Sequence, residues 1–160
     1  MFKIIEIAEK DISLSAEIVR RSCSTIAEQF ELTEENAPTN GSFLKDHTLL
    51  AEFRRGAKMF GLFDDDVQIG FVQIESNDGD IYNLEKLAVL SEHRHKGGGV
   101  SLLDYAVEYV RNADGKAISI GIIYENTSLL EWYERYGFEQ TKTQIYPHLP
   151  FTVCFLKYEV

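Results

Sequence analysis

The sequence predicts an α/β fold in which helices are layered on a mixed sheet. Hydrophobic periodicity gives the element order β-α-α-β-β-β-α-β-α-β-β, seven strands and four helices. Three of the strands run consecutively before helices begin to alternate with them, an order that a doubly wound parallel sheet does not have. The composition is that of an ordinary globular chain: of 160 residues, 44% are apolar, 12% aromatic and 26% charged. A chain of this length can bury roughly 70% of its unfolded surface. With no repeat, low-complexity segment or linker rich in Pro, Gly or Ser, residues 1–160 are expected to form one domain.

Each element has a local reason. Phe2 to Ile7 alternates apolar and charged residues and reads as a strand. Ile12, Ala16, Val19, Cys23, Ile26 and Phe30 recur at spacings of four and three, predicting an amphipathic helix from about Asp11 to Gln29. Asn36, Pro38, Asn40 and Gly41 mark a loop, and a second helix is expected over about Ser42 to Arg54. Lys58–Phe63 and Val67–Glu75 form a hairpin across the acidic turn Asp64-Asp65-Asp66. Asn77-Asp78-Gly79 turns the chain into a strand over Ile81 to Leu90. Val100, Leu103, Ala106, Val107 and Val110 mark the third helix, after three glycines. Lys116–Tyr124 is a strand with Ile118, Ile120 and Ile122 on one face. A short helix follows from about Asn126 to Arg135, with Ser128 and Glu131 at capping-box spacing and Gly137 as its stop. Phe138–Tyr146 and Phe151–Glu159 close the sheet.

Charge and composition exclude several functions. Acidic residues number 26 against 16 basic ones, a net charge of −10. Such a chain repels phosphate backbones, and it has no basic stripe, so no nucleic-acid partner is expected. No apolar run approaches the ~20 residues of a membrane helix, so no membrane partner is expected either. Met1 to Lys10 reads as a strand and not as a secretory signal, which makes the cytoplasm the expected compartment. Cys23 and Cys154 are far apart and read as two buried thiols.

The sharpest feature is Leu87-Ala88-Val89-Leu90-Ser91-Glu92-His93-Arg94-His95-Lys96-Gly97-Gly98-Gly99-Val100. A strand ends, a basic glycine-rich loop follows, and a helix begins. Glycines allow close backbone approach to an anion, and the unpaired N–H groups of a helix N-terminus point at it. Arg94 and Lys96 add positive charge in an otherwise acidic chain, so the segment suits a phosphate or pyrophosphate. A P-loop needs GxxxxGK[ST], which is absent. A Rossmann fingerprint needs its glycines after an early strand, and these lie well past mid-chain.

Arg94-His95-Lys96-Gly97-Gly98-Gly99 resembles the Arg/Gln-x-x-Gly-x-Gly/Ala signature of the GNAT superfamily of acyl-CoA-dependent N-acetyltransferases. Leu87-Ala88-Val89 resembles the end of that family's fourth strand. Asn126 followed by Trp132-Tyr133-Glu134-Arg135-Tyr136-Gly137-Phe138 resembles its second cofactor motif. Two departures are Ser91, where Pro is frequent, and Gly98, where a larger apolar residue is usual. The resemblance implies a mostly antiparallel sheet of about seven strands flanked by about four helices. It implies acetyl-CoA as co-substrate and no metal. The backbones of Arg94, His95, Lys96, Gly97, Gly98, Gly99 and Val100 would cradle the pyrophosphate. Those of Leu87, Ala88 and Val89 would run along the pantetheine arm, with Leu87 and Val89 pairing to it. Asn126 would hydrogen-bond the same arm, and Tyr133 would sit near the sulfur. By pattern alone, Asn126 also reads as a helix cap and Tyr133 as a core aromatic.

Direct transfer to an amine needs a proton acceptor and a group to settle the departing sulfur. Tyr133 is the candidate for the sulfur. Glu85 is the candidate base, because strict alternation places Glu85 on the face of Leu87 and Val89. His148 is a second candidate. His93 and His95 have no third ligand near them in the sequence and read as surface histidines. The expected acceptor is an amine-bearing small molecule or peptide, and the resemblance implies that about Asp11–Arg54 and Tyr146–Phe151 select it. A non-catalytic CoA-binding sensor is the alternative, a nucleotide-dependent transferase stays open as another anion-binding enzyme, and a homodimer is left open.

Overall fold

The strands of the computed structural model, which describes residues 1–160, are β1 (Phe2–Glu6), β2 (Lys58–Asp64), β3 (Val67–Ser76), β4 (Ile81–Val89), β5 (Ala117–Ile123), β6 (Glu139–Ile145) and β7 (Thr152–Glu159). The helices are α1 (Ile12–Gln29), α2 (Asp46–Arg55), α3 (Gly98–Asn112) and α4 (Thr127–Tyr136). The seven strands lie in the order β1-β2-β3-β4-β5-β7-β6. β1/β2, β2/β3, β5/β7 and β6/β7 pair antiparallel. β4 and β5 pair parallel through Ile81–Asn83 and Ala117–Ser119. This is the mixed sheet with four helices that the element order predicts, and the mostly antiparallel form that the resemblance implies. No helix is long and apolar enough to cross a membrane.

The chain forms two compact units, Met1–Glu75 with Leu84–Ala106 and Ser76–Asn83 with Val107–Val160. In the first, the apolar stripe of α1 (Ile12, Ala16, Ile18, Val19) packs with Leu49 of α2, Met59 of β2 and Phe71 of β3. Arg20 joins α1 to the start of α2, donating to the Leu44 carbonyl at 2.9 Å and to Asp46 Oδ1 at 2.8 Å. Ser13 donates to the other Asp46 oxygen at 2.7 Å, and these two donors hold the Asp46 carboxyl below its usual range. α2 begins later than its apolar pattern suggests. Asn40 caps a separate 3-10 turn over Gly41–Phe43, its side chain accepting from the Ser42 N–H.

In the second unit, β7 lies between β5 and β6, and Ile118, Ile120, Cys154 and Leu156 are buried. Asp78 Oδ1 accepts from the N–H groups of Asp80 and Ile81 and so sets the turn into β4. Gly115 closes the turn after α3 against Tyr82 and Val110, with no room for a Cβ. The cap of α4 departs from the expected capping box. Asn126 is the N-cap, its Oδ1 accepting from the Leu129 N–H at 3.3 Å, while Ser128 stands inside the helix and donates to the same oxygen. Asn126 lies two residues before Ser128 and takes the capping position first. Gly137, at φ 129°, ends the helix as expected.

Candidate functional site

The loop between β4 and α3 is built from backbone conformation. His95 at φ 64° and Gly97 at φ 88° occupy the left-handed region and turn the chain into α3. The first intrahelical bond runs from the Ser101 N–H to the Gly97 carbonyl at 3.0 Å. The preceding N–H groups, of Gly98, Gly99 and Val100, form the open helix end, where partial positive charge collects. A Cβ on Gly97 would meet nothing within 4 Å, so this position borders open space. Gly98 is glycine for another reason: its Cβ would come within 2.7 Å of Leu62 Cδ2, in the core. The middle glycine of the motif is therefore seated tightly against the core.

The Arg94 guanidinium is engaged on all three nitrogens within the chain. Its Nε donates to the Val89 carbonyl at 3.0 Å, one terminal nitrogen to Thr25 Oγ1 at 3.1 Å and the other to the Ser22 carbonyl at 2.6 Å. All three donors face inward and fasten the loop to α1 and to the end of β4. Arg21 adds an exposed ion pair to Glu92 at 3.0 Å. The three acceptors are uncharged, so Arg94 keeps its positive charge beside the loop while its N–H donors are engaged within the chain. His95 and Lys96 remain exposed, whereas His93 is half-buried with an unpaired Nδ1. Ser22 and Thr25 are partners that sequence reading could not supply, about seventy residues away with no motif of their own.

β4 carries a second correction. Lys86 has φ 56°, in the left-handed region, and this interrupts the pleat. Adjacent side chains on a regular strand point to opposite faces. Here Glu85 and Lys86 both reach Gln73, so the alternation that placed Glu85 with Leu87 and Val89 does not run through residue 86. Gln73 is fully buried, and its Nε2 donates to Glu52 Oε1 at 3.2 Å and to Glu85 Oε2 at 3.3 Å. Lys86 Nζ donates to Glu52 Oε1 at 2.9 Å and to Gln73 Oε1 at 3.3 Å, and lies 3.5 Å from Glu85 Oε2. The first unit thus holds Glu85, Leu87–Val89 and Arg94–Val100 along one stretch of chain. Gln73, Glu52 and Lys86 are the residues there that sequence reading missed. A surface cavity of about 430 Å³, bounded by Arg20, Glu34 and Ser42–His47, opens near the start of α2.

In the second unit, α4 carries Asn126 and Tyr133. Asn126 is buried, and only its Oδ1 is engaged, leaving Nδ2 without a partner in the chain. The cap and an outward donor are therefore compatible roles for one side chain. Tyr133 is 5% exposed, edge-on to Trp132 and Phe138 at 4.9 and 5.3 Å between ring centroids. Its hydroxyl has no partner in the chain, and burial alone pushes its pKa well up. His148 is exposed and lies against Tyr146. Burial raises both thiols, that of Cys23 to about 11, so each stays protonated at neutral pH.

Residues 23–138 match the acetyltransferase (GNAT) family. An uncharacterized N-acetyltransferase of Methanocaldococcus jannaschii is 31% identical over 80 residues, covering 45% of this chain; the match spans about a third (34%) of that protein's length. The fold is shared with the PaiA N-acetyltransferase of Thermoplasma acidophilum, solved in complex with coenzyme A (TM-score 0.82, 20% identity, 99% of each chain). It is shared too with the ribosomal-protein-S18-alanine N-acetyltransferase of Escherichia coli (TM-score 0.79, 13% identity, 99% of this chain and 94% of that one). A GNAT family acetyltransferase of Elizabethkingia anophelis with acetyl-CoA bound overlaps less (TM-score 0.61, 18% identity, 71% of this chain and 82% of that one).

Arg94→Lys keeps the charge but reaches at most one of the three acceptors. A loss of about 1–3 kcal/mol in folding stability is expected, read by urea denaturation at neutral pH. Unchanged stability would show that the clamp is dispensable.

Proposed function

We propose that this chain, which belongs to the acetyltransferase (GNAT) family, moves the acetyl group of acetyl-CoA to a primary amine by direct attack in a ternary complex. The observation that carries this reading is the open N-terminus of α3, led in by positive φ at His95 and Gly97. Successive N–H groups at a helix start suit a pyrophosphate. The loop Arg94–Val100 would hold it through its backbone, the backbones of Leu87 and Val89 would pair with the pantetheine arm, and Asn126 Nδ2 would donate to that arm. Residues 1–160 would act together as one acetyltransferase domain.

The thioester supplies an acyl group already activated toward a nitrogen nucleophile. Glu85 takes a proton from the acceptor ammonium and frees the lone pair that attacks. The new C–N bond forms a tetrahedral adduct; as its C–S bond breaks, the nitrogen gives up its second proton and the sulfur takes up one, leaving as the CoA thiol. Tyr133 steadies the departing sulfur. A thiol ordinarily titrates near 8.5, below even an unperturbed phenol at ~10. Burial lifts Tyr133 further, so its proton stays on the phenol and the hydroxyl acts as a hydrogen-bond donor. The net charge of −10 favours a cationic acceptor, a small-molecule amine or a Lys-bearing peptide.

The test begins with a thermal-shift panel of CoA, acetyl-CoA, ATP and NAD, of which only the CoA compounds should stabilise. Release of CoA thiol across an amine library then reads turnover. Gly97→Asp puts a carboxylate where the pyrophosphate would lie, at a φ that disfavours any side chain. Calorimetry should show acetyl-CoA binding abolished in the folded variant, and unchanged affinity would remove the loop from the account. Asn126→Asp keeps the capping oxygen and deletes the Nδ2 donor. Its melting temperature should hold while KM for acetyl-CoA rises roughly 5–10-fold, about 1 kcal/mol; an unchanged KM would leave Asn126 a cap alone. For Tyr133→Phe, kcat should fall at least tenfold with KM and stability nearly unchanged, the signature of an interaction made only in the transition state. A Phe variant with wild-type kcat would return Tyr133 to the core.

A further inference from the structure

The group around Lys86 is unusual on three independent counts. Lys86 is a non-glycine residue at φ 56°, a conformation that costs on the order of 1 kcal/mol and persists only where its surroundings enforce it. Its side chain is 16% exposed and that of its partner Glu52 is 14% exposed, whereas Glu85 is 40% exposed. Gln73, fully buried, bridges the two carboxylates through one amide nitrogen and accepts from Lys86 through its oxygen. A simple surface ion pair needs none of this.

The two carboxylates are held differently. Glu52 Oε1 takes the short bond from Lys86 and one from Gln73, inside the protein. Glu85 Oε2 takes the longer ones, and Glu85 Oε1 takes none. Glu85 is therefore oriented by one oxygen, with the other left open on the exposed side chain. The bend at residue 86 is what makes this arrangement: on an unbroken strand, Lys86 and Glu85 would point to opposite faces and could not share Gln73.

The charges facing Glu85 can be named element by element. From β4 comes Lys86; from α2, Glu52 and Arg55; from β3, Glu75. Arg55 is held by Glu75 through two bonds of 2.9 Å, so those two charges largely cancel. The Cys23 thiol of α1, near enough to feel Lys86, is neutral. Lys86 is then the cation in direct contact with Glu85.

We propose that Lys86 is a positioning residue for proton acceptance at Glu85: together with Gln73 it fixes Oε2, so that Oε1 is held free to receive the proton of the acceptor ammonium. This rests on the reading of Glu85 as the base. The step is a simple transfer, in which R–NH₃⁺ and the carboxylate become R–NH₂ and the carboxylic acid, and the acid returns its proton to solvent after turnover.

Two measurements separate this inference from the reading beneath it. The first is the split of acceptor turnover into kcat and KM, and the second is the pH profile of kcat/KM. Lys86→Met and Lys86→Gln both remove the cation, one by an apolar and one by a polar shape, so one folded variant suffices. In either, kcat should fall roughly tenfold with KM for acetyl-CoA nearly unchanged, the signature of an interaction used in the transition state, and Lys86→Arg should restore it. A lost structural contact would lower the melting temperature without moving kcat. Glu85→Gln should erase the acidic limb. If it does, yet the folded Lys86 variants keep the wild-type kcat, the inference fails and Glu85 stands as the base. If Glu85→Gln keeps the wild-type profile, the base is elsewhere and the inference falls with it.

Discussion

The three hydrogen bonds of the Arg94 guanidinium are the constraint on which the loop before α3 depends. A glycine-rich loop alone is floppy, since each glycine loses more backbone freedom on ordering than any other residue. Arg94 ties that loop at one end to the Val89 carbonyl and to two groups of α1, Ser22 and Thr25. α1 is itself locked to the start of α2 through Arg20, Ser13 and Asp46. The open N–H groups of α3 thus project from a fixed platform. Preorganised donors of this kind meet a charged ligand with little ordering cost.

Much of the fold was legible because its periodicities are strong. The 3.6-residue stripe of α1, the acidic hairpin turn and the Gly137 stop each have one local cause, and each element lies within a few residues of its predicted place. The start of α2 was less legible, because Asn40 captures the chain for a 3-10 turn before the helix begins. The capping box failed for a related reason: two residues compete for one cap, and the earlier one wins.

The site was legible as a motif but not as chemistry. Arg94 in the sequence is simply a cation beside glycines; only the fold supplies Ser22 and Thr25 as its acceptors. Glu85 stood out through strand alternation, and the left-handed backbone at Lys86 breaks the premise of that count. No local sequence rule flags a lysine for positive φ, and the partners of its side chain, Gln73 and Glu52, lie 13 and 34 residues away. Asn126 was read as either cap or ligand donor, and the structure engages one side-chain atom in the cap while leaving the other free.

Gly98 and Leu62 share one parcel of volume. The leucine methyl fills the space that a side chain at residue 98 would otherwise take. The helix start that carries the open N–H groups therefore has its seat in the hairpin of β2 and β3. A bulkier residue at 98 is affordable only with a smaller one at 62, and a smaller residue at 62 alone would leave the loop over a void. The two positions can change together at little cost and separately only at a larger one, so this stretch of the chain is free to drift in sequence along a coupled path.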